Sequence, residues 1–337
     1  MSHDKLLSRS ISARFGPLLA YLKNNEMITW EQIVEDDITI NHLKNFDAVL
    51  FNKHTSSRAI EIMRLANNIG LTTIYDLDDW IIDLPTYSVT NLNDDLLANI
   101  IWFLRSSKFI TVSNKVLKEK LHRIRPSSII IENGFDSNVA KKISIGWEES
   151  SPSKILFSNT DGIKLINFRK DFFKAVIDFM NRHSEVVLEF WGDEFPEMSI
   201  IPRLKPMGFL GNVEYKLALR QAGYIFGIVP LGGREDNESL FFNSCKSCIK
   251  YIDYGSLGIP GIYSKSPVYE NVISHLDTGF LASNNYDDWT IAMEELYSND
   301  KLRQTMRENA FNDTLNRFGL AQSAQVFHKI LTSSFIE

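Results

Sequence analysis

At 337 residues, with 44% hydrophobic and 23% charged side chains, the chain exceeds one ordinary domain and has apolar material for two cores. A formal net charge of −6 gives no electrostatic reason for non-specific nucleic-acid binding, and only two cysteines, Cys245 and Cys248, exclude a disulfide framework. No apolar run is long enough to span a bilayer and the amino end MSHDKLLSRS lacks a signal-peptide core, so the expected location is cytoplasmic, with the inner face of a membrane as the variant setting.

In chain order, residues 15–22 read as a short helix, with only Lys5, Leu6 and Leu7 available for a strand ahead of it. Residues 47–51 form a compact apolar run of strand length. The helical period of Ile60, Met63, Leu65, Ala66 and Ile69 follows, stopped by Gly70. Residues 71–75 are the next strand and end in Asp76, Leu77, Asp78, Asp79 and Trp80; a helix then carries Leu96, Leu97, Ile100, Ile101 and Leu104. Residues 108–112 are a strand, Ser113 an N-cap, and the helix to His122 precedes a strand at 128–131. The polar stretch 145–153, with Pro152 and several serines, suits a linker.

The same alternation then restarts. Strands are expected at 154–157, 186–191, 224–229 and 278–282, a short strand and turn at 207–211, a turn plus strand at 258–263, and helices at 168–182, 215–222, 244–257, 287–297, 301–318 and 321–331. Strand–helix alternation specifies parallel sheets with helices on both faces, and such sheets bind ligands at the carboxyl ends of their strands.

Several residues have the chemistry for a site. A helix opening on Asn243 and Ser244 would present free N–H groups to an anion such as a diphosphate, with Lys246 and Lys250 four apart on one face and Asp253 placed to take a ribose diol. The same spacing also fits a capped helix with a surface Lys–Asp pair. Asp76 and Asp78 spell a D-x-D, which can hold a divalent metal under a diphosphate. Alternatively these acids form a solvated turn after the strand. Cys245 and Cys248 read C-x-x-C, but zinc would need a second pair and redox domains place the motif after a first strand. His54 follows a strand and either faces a cleft or packs. Lys115, Lys118, Lys120, His122, Arg123 and Arg125 form a basic cluster, either a solvated helix face or a peripheral contact to anionic membrane.

The order KYIDYGSLGIP (250–260), YENVI (269–273), GFL (279–281), Trp289 and DKLRQTM (300–306) with Ala310 resembles the donor domain of family-4-like ("group 1") GT-B glycosyltransferases. TVS (111–113) and IENGFD (131–136) resemble that family's approach to the domain boundary, so the resemblance runs from about Asp47 onward. It implies an α/β GT-B fold: two Rossmann-like domains with parallel sheets facing across a cleft. Residues 1–147 would be on the acceptor side and 148–318 on the nucleotide-sugar side, with a helix at 319–337 able to pack back on the first domain.

The resemblance also implies transfer of a sugar from a nucleoside-diphosphate sugar to a glycan, lipid-linked or protein acceptor. The reaction would be retaining and metal-independent, without a cofactor, in bacterial surface glycan or glycoprotein assembly. Asp253 stands at the second acidic position of the family's Glu-x7-Glu motif, one methylene shorter, and Cys245 at the first, a departure for which Glu238 is a candidate replacement. By the same likeness Gly211, Asn212 and Val213 meet the base, and Lys164, with Asn243, Ser244, Lys246, Ser247 and Lys250, surrounds the donor; Asp78, Asp79 and Lys246 are the catalytic candidates, the two aspartates for sugar or acceptor hydroxyls, or for a general base if the reaction inverts. An inactive binding subunit of the same shape and a nucleotide-sugar epimerase are the alternative readings.

Overall fold

The computed structural model describes residues 9–85, 93–136, 149, 151–159 and 165–332. The chain separates into two compact units: Met1–Asp136 with Cys245–Ser247 and Leu320–Glu337, and Ser137–Ser244 with Cys248–Gly319. Lys5, Leu6 and Leu7, expected as a first strand, lie outside the described residues, as does most of the 145–153 stretch.

The first unit carries a four-stranded parallel sheet, β1 (Ala48–Asn52), β2 (Thr72–Leu77), β3 (Phe109–Val112) and β4 (Ile129–Ile130), in the order β1-β2-β3-β4. Strand side chains alternate between faces, so register decides which residues meet. Leu50, Ile74 and Phe109 stand abreast, and two residues further on so do Asn52, Asp76 and Thr111. The apolar row is covered by helix Arg9–Asn24 through Phe15, Leu18 and Leu22, and by helix Leu320–Thr332 through Ala324, Phe327 and Ile330. Phe15 and Phe327 touch with ring centroids 5.5 Å apart. On the opposite face Phe51 and Tyr75 pack against Phe103 of helix Asp94–Ser106, the tyrosine stacked at 4.8 Å.

The polar row closes the sheet. Asp76 accepts from Arg14 Nε (2.7 Å) and Nη2 (2.6 Å), Asn52 Nδ2 (2.7 Å) and Thr111 Oγ1 (2.6 Å), and it is fully buried. Arg14 also donates to the Ile131 carbonyl at 2.7 Å and to Asn133 Oδ1 at 3.2 Å. A buried carboxylate and guanidinium are tolerated only with this degree of mutual satisfaction.

The second unit has a six-stranded parallel sheet in the order β10-β9-β8-β5-β6-β7. Its strands are β5 (Lys154–Asn159), β6 (Val187–Gly192), β7 (Leu204–Pro206), β8 (Phe226–Val229), β9 (Gly261–Ser264) and β10 (Phe280–Ala282). The chain builds outward from β5 through β6 to β7, then returns to β8 on the other flank, so the strand order reverses between the parallel neighbours β5 and β8. Phe157, Phe172, Phe190, Phe195 and Trp289 form the aromatic centre of its core. Helix Ile249–Ser256 sits close to the sheet because β8 has Gly227 beneath it: a Cβ there would lie 2.4 Å from the Tyr254 ring.

Several boundaries depart from the sequence reading; the first helix, for one, runs from Arg9 to Asn24 and not from 15 to 22. The helix expected at 244–257 is two helices, Asn237–Ser244 and Ile249–Ser256, with the chain unwound between them. The strand expected at 207–211 is β7, placed earlier because Leu204, Lys205 and Pro206 pair with Leu188, Glu189 and Phe190. Asn114, not Ser113, caps helix Lys115–Leu121, its side chain accepting from the Leu117 N–H at 2.9 Å. Among the described residues no helix is long and apolar enough to cross a membrane.

Removing one member of a buried, hydrogen-bonded ion pair costs about 3–5 kcal/mol because the partner stays charged. Arg14→Met is therefore expected to lose stability of that order in denaturant unfolding, and the double variant Arg14→Met, Asp76→Asn to recover part of it.

Candidate functional site

The carboxyl ends of both sheets carry the polar residues. In the first unit β1 ends in Asn52 and is followed by Lys53, with φ of 52°, and β2 runs into Asp78 and Asp79. Lys53 Nζ lies 2.7 Å from Asp78 Oδ1 and 3.6 Å from Asp79 Oδ2, and Asn52 Nδ2 donates to Asp78 at 3.4 Å. The Asp78 side chain is 12% exposed and that of Asp79 is 38% exposed, so Asp79 is the more open of the two. Burial alone would raise the Asp78 carboxyl; the Lys53 charge, then Arg14, outweigh it and hold the group below its ordinary value. For Lys53, burial lowers and the charges of Asp78 and Asp79 raise, with a net rise. A carboxylate so stabilised is a good hydrogen-bond acceptor and a poor general base.

The D-x-D does not have a metal's donor set. Both Asp76 oxygens are taken by Arg14, Asn52 and Thr111, and Asp78 is engaged by Lys53 and Asn52. Among the described residues no group of three or more His, Cys, Asp or Glu side chains is placed to hold a metal ion. His54 is packed, 1% exposed and edge-on to Phe51 at 5.6 Å. In the basic cluster, Arg125 donates to the carbonyls of Ser107 and Lys108, both at 3.1 Å, and Lys120 lies 5.3 Å from the Trp80 ring centre.

The stretch from Asn243 to Ser247 is a correction. Asn243 and Ser244 close helix Asn237–Ser244 instead of opening the next one. Asn243 is buried and donates to the Gly232 carbonyl at 3.2 Å; Ser244 Oγ donates to the Phe241 carbonyl at 2.6 Å. Lys246 is off the helix, so it shares no face with Lys250. The segment Cys245–Ser247 belongs to the first unit. Asn114 Nδ2 donates to the carbonyls of Cys245 (3.0 Å) and Lys246 (3.2 Å), and Asn133 donates to Ser247 Oγ. These side-chain bonds explain the break: the residues leave helical geometry to meet two asparagines. Cys245 is buried, Cys248 half-buried, and Glu238 lies exposed in the first turn of its helix.

The second unit's cluster gathers where its sheet reverses. Ser158, at the carboxyl end of β5, accepts from Tyr215 Oη and Lys250 Nζ, both at 2.8 Å. Asp253, 5% exposed, has its Oδ1 3.0 Å from Lys216 Nζ, so its ion-pair partner is Lys216, not Lys250, and the pair is not a surface one. Lys250 Nζ lies 5.6 Å from the centre of the Tyr215 ring, and Trp191 at the end of β6 meets that ring edge-on at 5.5 Å. Burial, then the Asp253 charge, pushes the Tyr215 phenol up, keeping it a donor to Ser158. Lys250 is pushed down: burial lowers it, Asp253 opposes, and Lys216 adds to the lowering.

Gly211, Asn212 and Val213 are not a free turn. Gly211 precedes helix Asn212–Ala222, which carries Tyr215 and Lys216, and Val213 is exposed. Lys164 lies outside the described residues. Ser158, Tyr215 and Lys216 had no role in the sequence reading. Ser158 lies next to the end of β5, a position legible in principle; Lys216, thirty-seven positions from its partner Asp253, had no local signal.

No family model matches the chain, nor does any curated protein sequence. Solved structures are similar to it. A glycosyltransferase from Rickettsia africae superposes with a TM-score of 0.62 at 13% identity, over 99% of this chain and 97% of that one. HepE from Anabaena, solved with UDP and glucose, gives 0.58 at 13% identity, over 87% of this chain and 80% of that one. A putative UDP-N-acetylglucosamine 2-epimerase from Listeria monocytogenes gives 0.59 at 13% identity, over 97% and 94%. The chain has the GT-B fold, with two Rossmann-like α/β units each built on a parallel sheet.

Because the folded Asp78 titrates below its ordinary 3.8, its contribution to stability is present above that value and is lost as pH falls through the lower folded one. The stability difference between wild type and Asp78→Asn is expected to shrink on acidification through this window, read by urea unfolding at stepped pH.

Proposed function

We propose that the protein is a glycosyltransferase that moves a sugar from a nucleoside-diphosphate sugar to an acceptor hydroxyl. The observation that carries this reading is the cluster at the reversal point of the second sheet. Open parallel sheets bind ligands outside the carboxyl ends of their strands where the strand order reverses. There, two lysines and one aspartate, Lys216, Lys250 and Asp253, leave one net positive charge beside the Ser158 hydroxyl. A diphosphate matches the excess charge and a ribose diol matches the carboxylate. HepE, solved with UDP and with UDP-glucose, supports a nucleotide of this class.

The donor-side residues in this reading are Lys250, Asp253, Ser158 and Lys216, with Gly211, Asn212 and Val213 toward the base. Asp78 and Asp79, in the first unit, take acceptor hydroxyls, Asp79 being the more exposed. The lowered Asp78 fits hydrogen-bond acceptance better than proton abstraction, which favours a retaining over an inverting route. The occupied oxygens of Asp76 and Asp78 favour metal independence. A role in bacterial surface glycan assembly is the corresponding biological setting.

Thermal-shift and calorimetric titration with UDP, GDP, ADP and their sugars tests the reading, and stabilisation by at least one of them is expected. Asp253→Ala should weaken that nucleotide by about 1–3 kcal/mol, the loss of a charged hydrogen-bond partner. Wild-type protein that binds none of them sinks the proposal. Donor turnover in the absence of any acceptor would instead indicate an epimerase.

A further inference from the structure

Asp253 is in an unusual position for a group expected to hold sugar hydroxyls. It is 5% exposed and already has a cation 3.0 Å away, Lys216 Nζ, on a different helix. Yet Oδ1, the oxygen nearest that ammonium, has no donor in hydrogen-bond geometry. The contact is electrostatic without being aligned, and the Lys216 side chain keeps 20% of its surface exposed. Lys250, one turn before Asp253, is engaged differently: it donates to Ser158 and leaves the carboxylate to Lys216. Tyr215, adjacent to Lys216 in the chain, bonds the same Ser158 oxygen. Ser158 Oγ therefore accepts from two donors and retains its own proton for an incoming acceptor.

We propose that Lys216 couples recognition of the ribose to recognition of the diphosphate by exchanging partners. With the site empty it neutralises Asp253; when a nucleoside diphosphate enters, Asp253 turns to the ribose hydroxyls and Lys216 turns to the phosphates. The proposal rests on the nucleotide reading above and adds the residue that sets preference for a diphosphate over a bare nucleoside. A nucleoside alone takes Asp253 from Lys216 and offers the ammonium nothing in return, leaving a poorly solvated charge. A diphosphate supplies both replacement partners. Lys250 makes no such exchange, because its partner is a neutral hydroxyl. The two lysines therefore have different signatures: loss of either weakens the diphosphate, but only loss of Lys216 frees Asp253 and strengthens the nucleoside.

The test is calorimetric titration of the full chain with matched pairs, UDP and uridine, GDP and guanosine, ADP and adenosine. For the base that binds, Lys216→Met is expected to lose about ten- to hundred-fold in diphosphate affinity, the equivalent of a charged hydrogen bond, while nucleoside affinity rises. Lys250→Met should lose diphosphate affinity with the nucleoside unchanged. Lys216→Gln, which keeps a donor for Asp253, covers the case in which the methionine variant does not fold, and it should show the same fall in diphosphate-to-nucleoside ratio. Lys216→Arg should keep the ratio near wild type. An unchanged ratio in folded Lys216→Met or Lys216→Gln, with Asp253→Ala still weakening the nucleotide, overturns the exchange and leaves the nucleotide site standing. If wild type binds no pair, the nucleotide reading itself has failed.

Discussion

A carboxylate without access to water has to be solvated by the protein, and at the end of β2 Asp76 imposes that requirement on four segments at once. Its donors come from helix Arg9–Asn24, from β1 and from β3, and the same arginine reaches the backbone after β4. Register makes this possible, because Asn52, Asp76 and Thr111 fall abreast on the face that the helix covers. Once that knot is tied, the neighbouring acids have defined orientations: Asp78 goes to Lys53, and Asp79 keeps more of its surface open. The buried network orders the carboxyl end of the sheet without itself being open to a ligand.

The second unit resolves its charges the other way. Where Asp76 is fully matched, the cluster of Lys216, Lys250 and Asp253 is left with an excess cation and with a carboxylate oxygen that lacks an aligned donor. Incomplete matching costs stability in the empty protein and is what a charged ligand can relieve. Helix Ile249–Ser256 brings these groups to the strand ends because Tyr254 settles over Gly227, a place that any side chain would block. Gly192 plays a comparable part at the end of β6, where a Cβ would fall 1.7 Å from the Asn159 carbonyl.

Much of this was legible in the residue pattern and some was not, for reasons that differ. Strand–helix alternation revealed parallel sheets because apolar runs of strand length and helical periods are local signals. The helix break at Cys245–Ser247 was hidden, since nothing between Ser244 and Ile249 forbids a continuous helix. What ends it is Asn114 and Asn133, more than a hundred positions away. The family pattern directs attention to Asp253 but not to its partner Lys216, because charge pairing between two helices leaves no trace in spacing along either. Asp76 read as half of a D-x-D and proved to be a buried anchor, a distinction that depends on Arg14, sixty-two positions earlier.

The face of the first sheet that bears Leu50 and Ile74 is covered jointly by an early helix and by Leu320–Thr332. During synthesis, domains ordinarily fold in the order in which they leave the ribosome. Here that order is inverted. The segments that build the second unit's sheet have all emerged while the first sheet still lacks Ala324, Phe327 and Ile330 against its apolar surface. Of the two units, the one whose strands come first in the chain is thus the one completed last, because part of its apolar cover waits for the helix that follows the whole second unit.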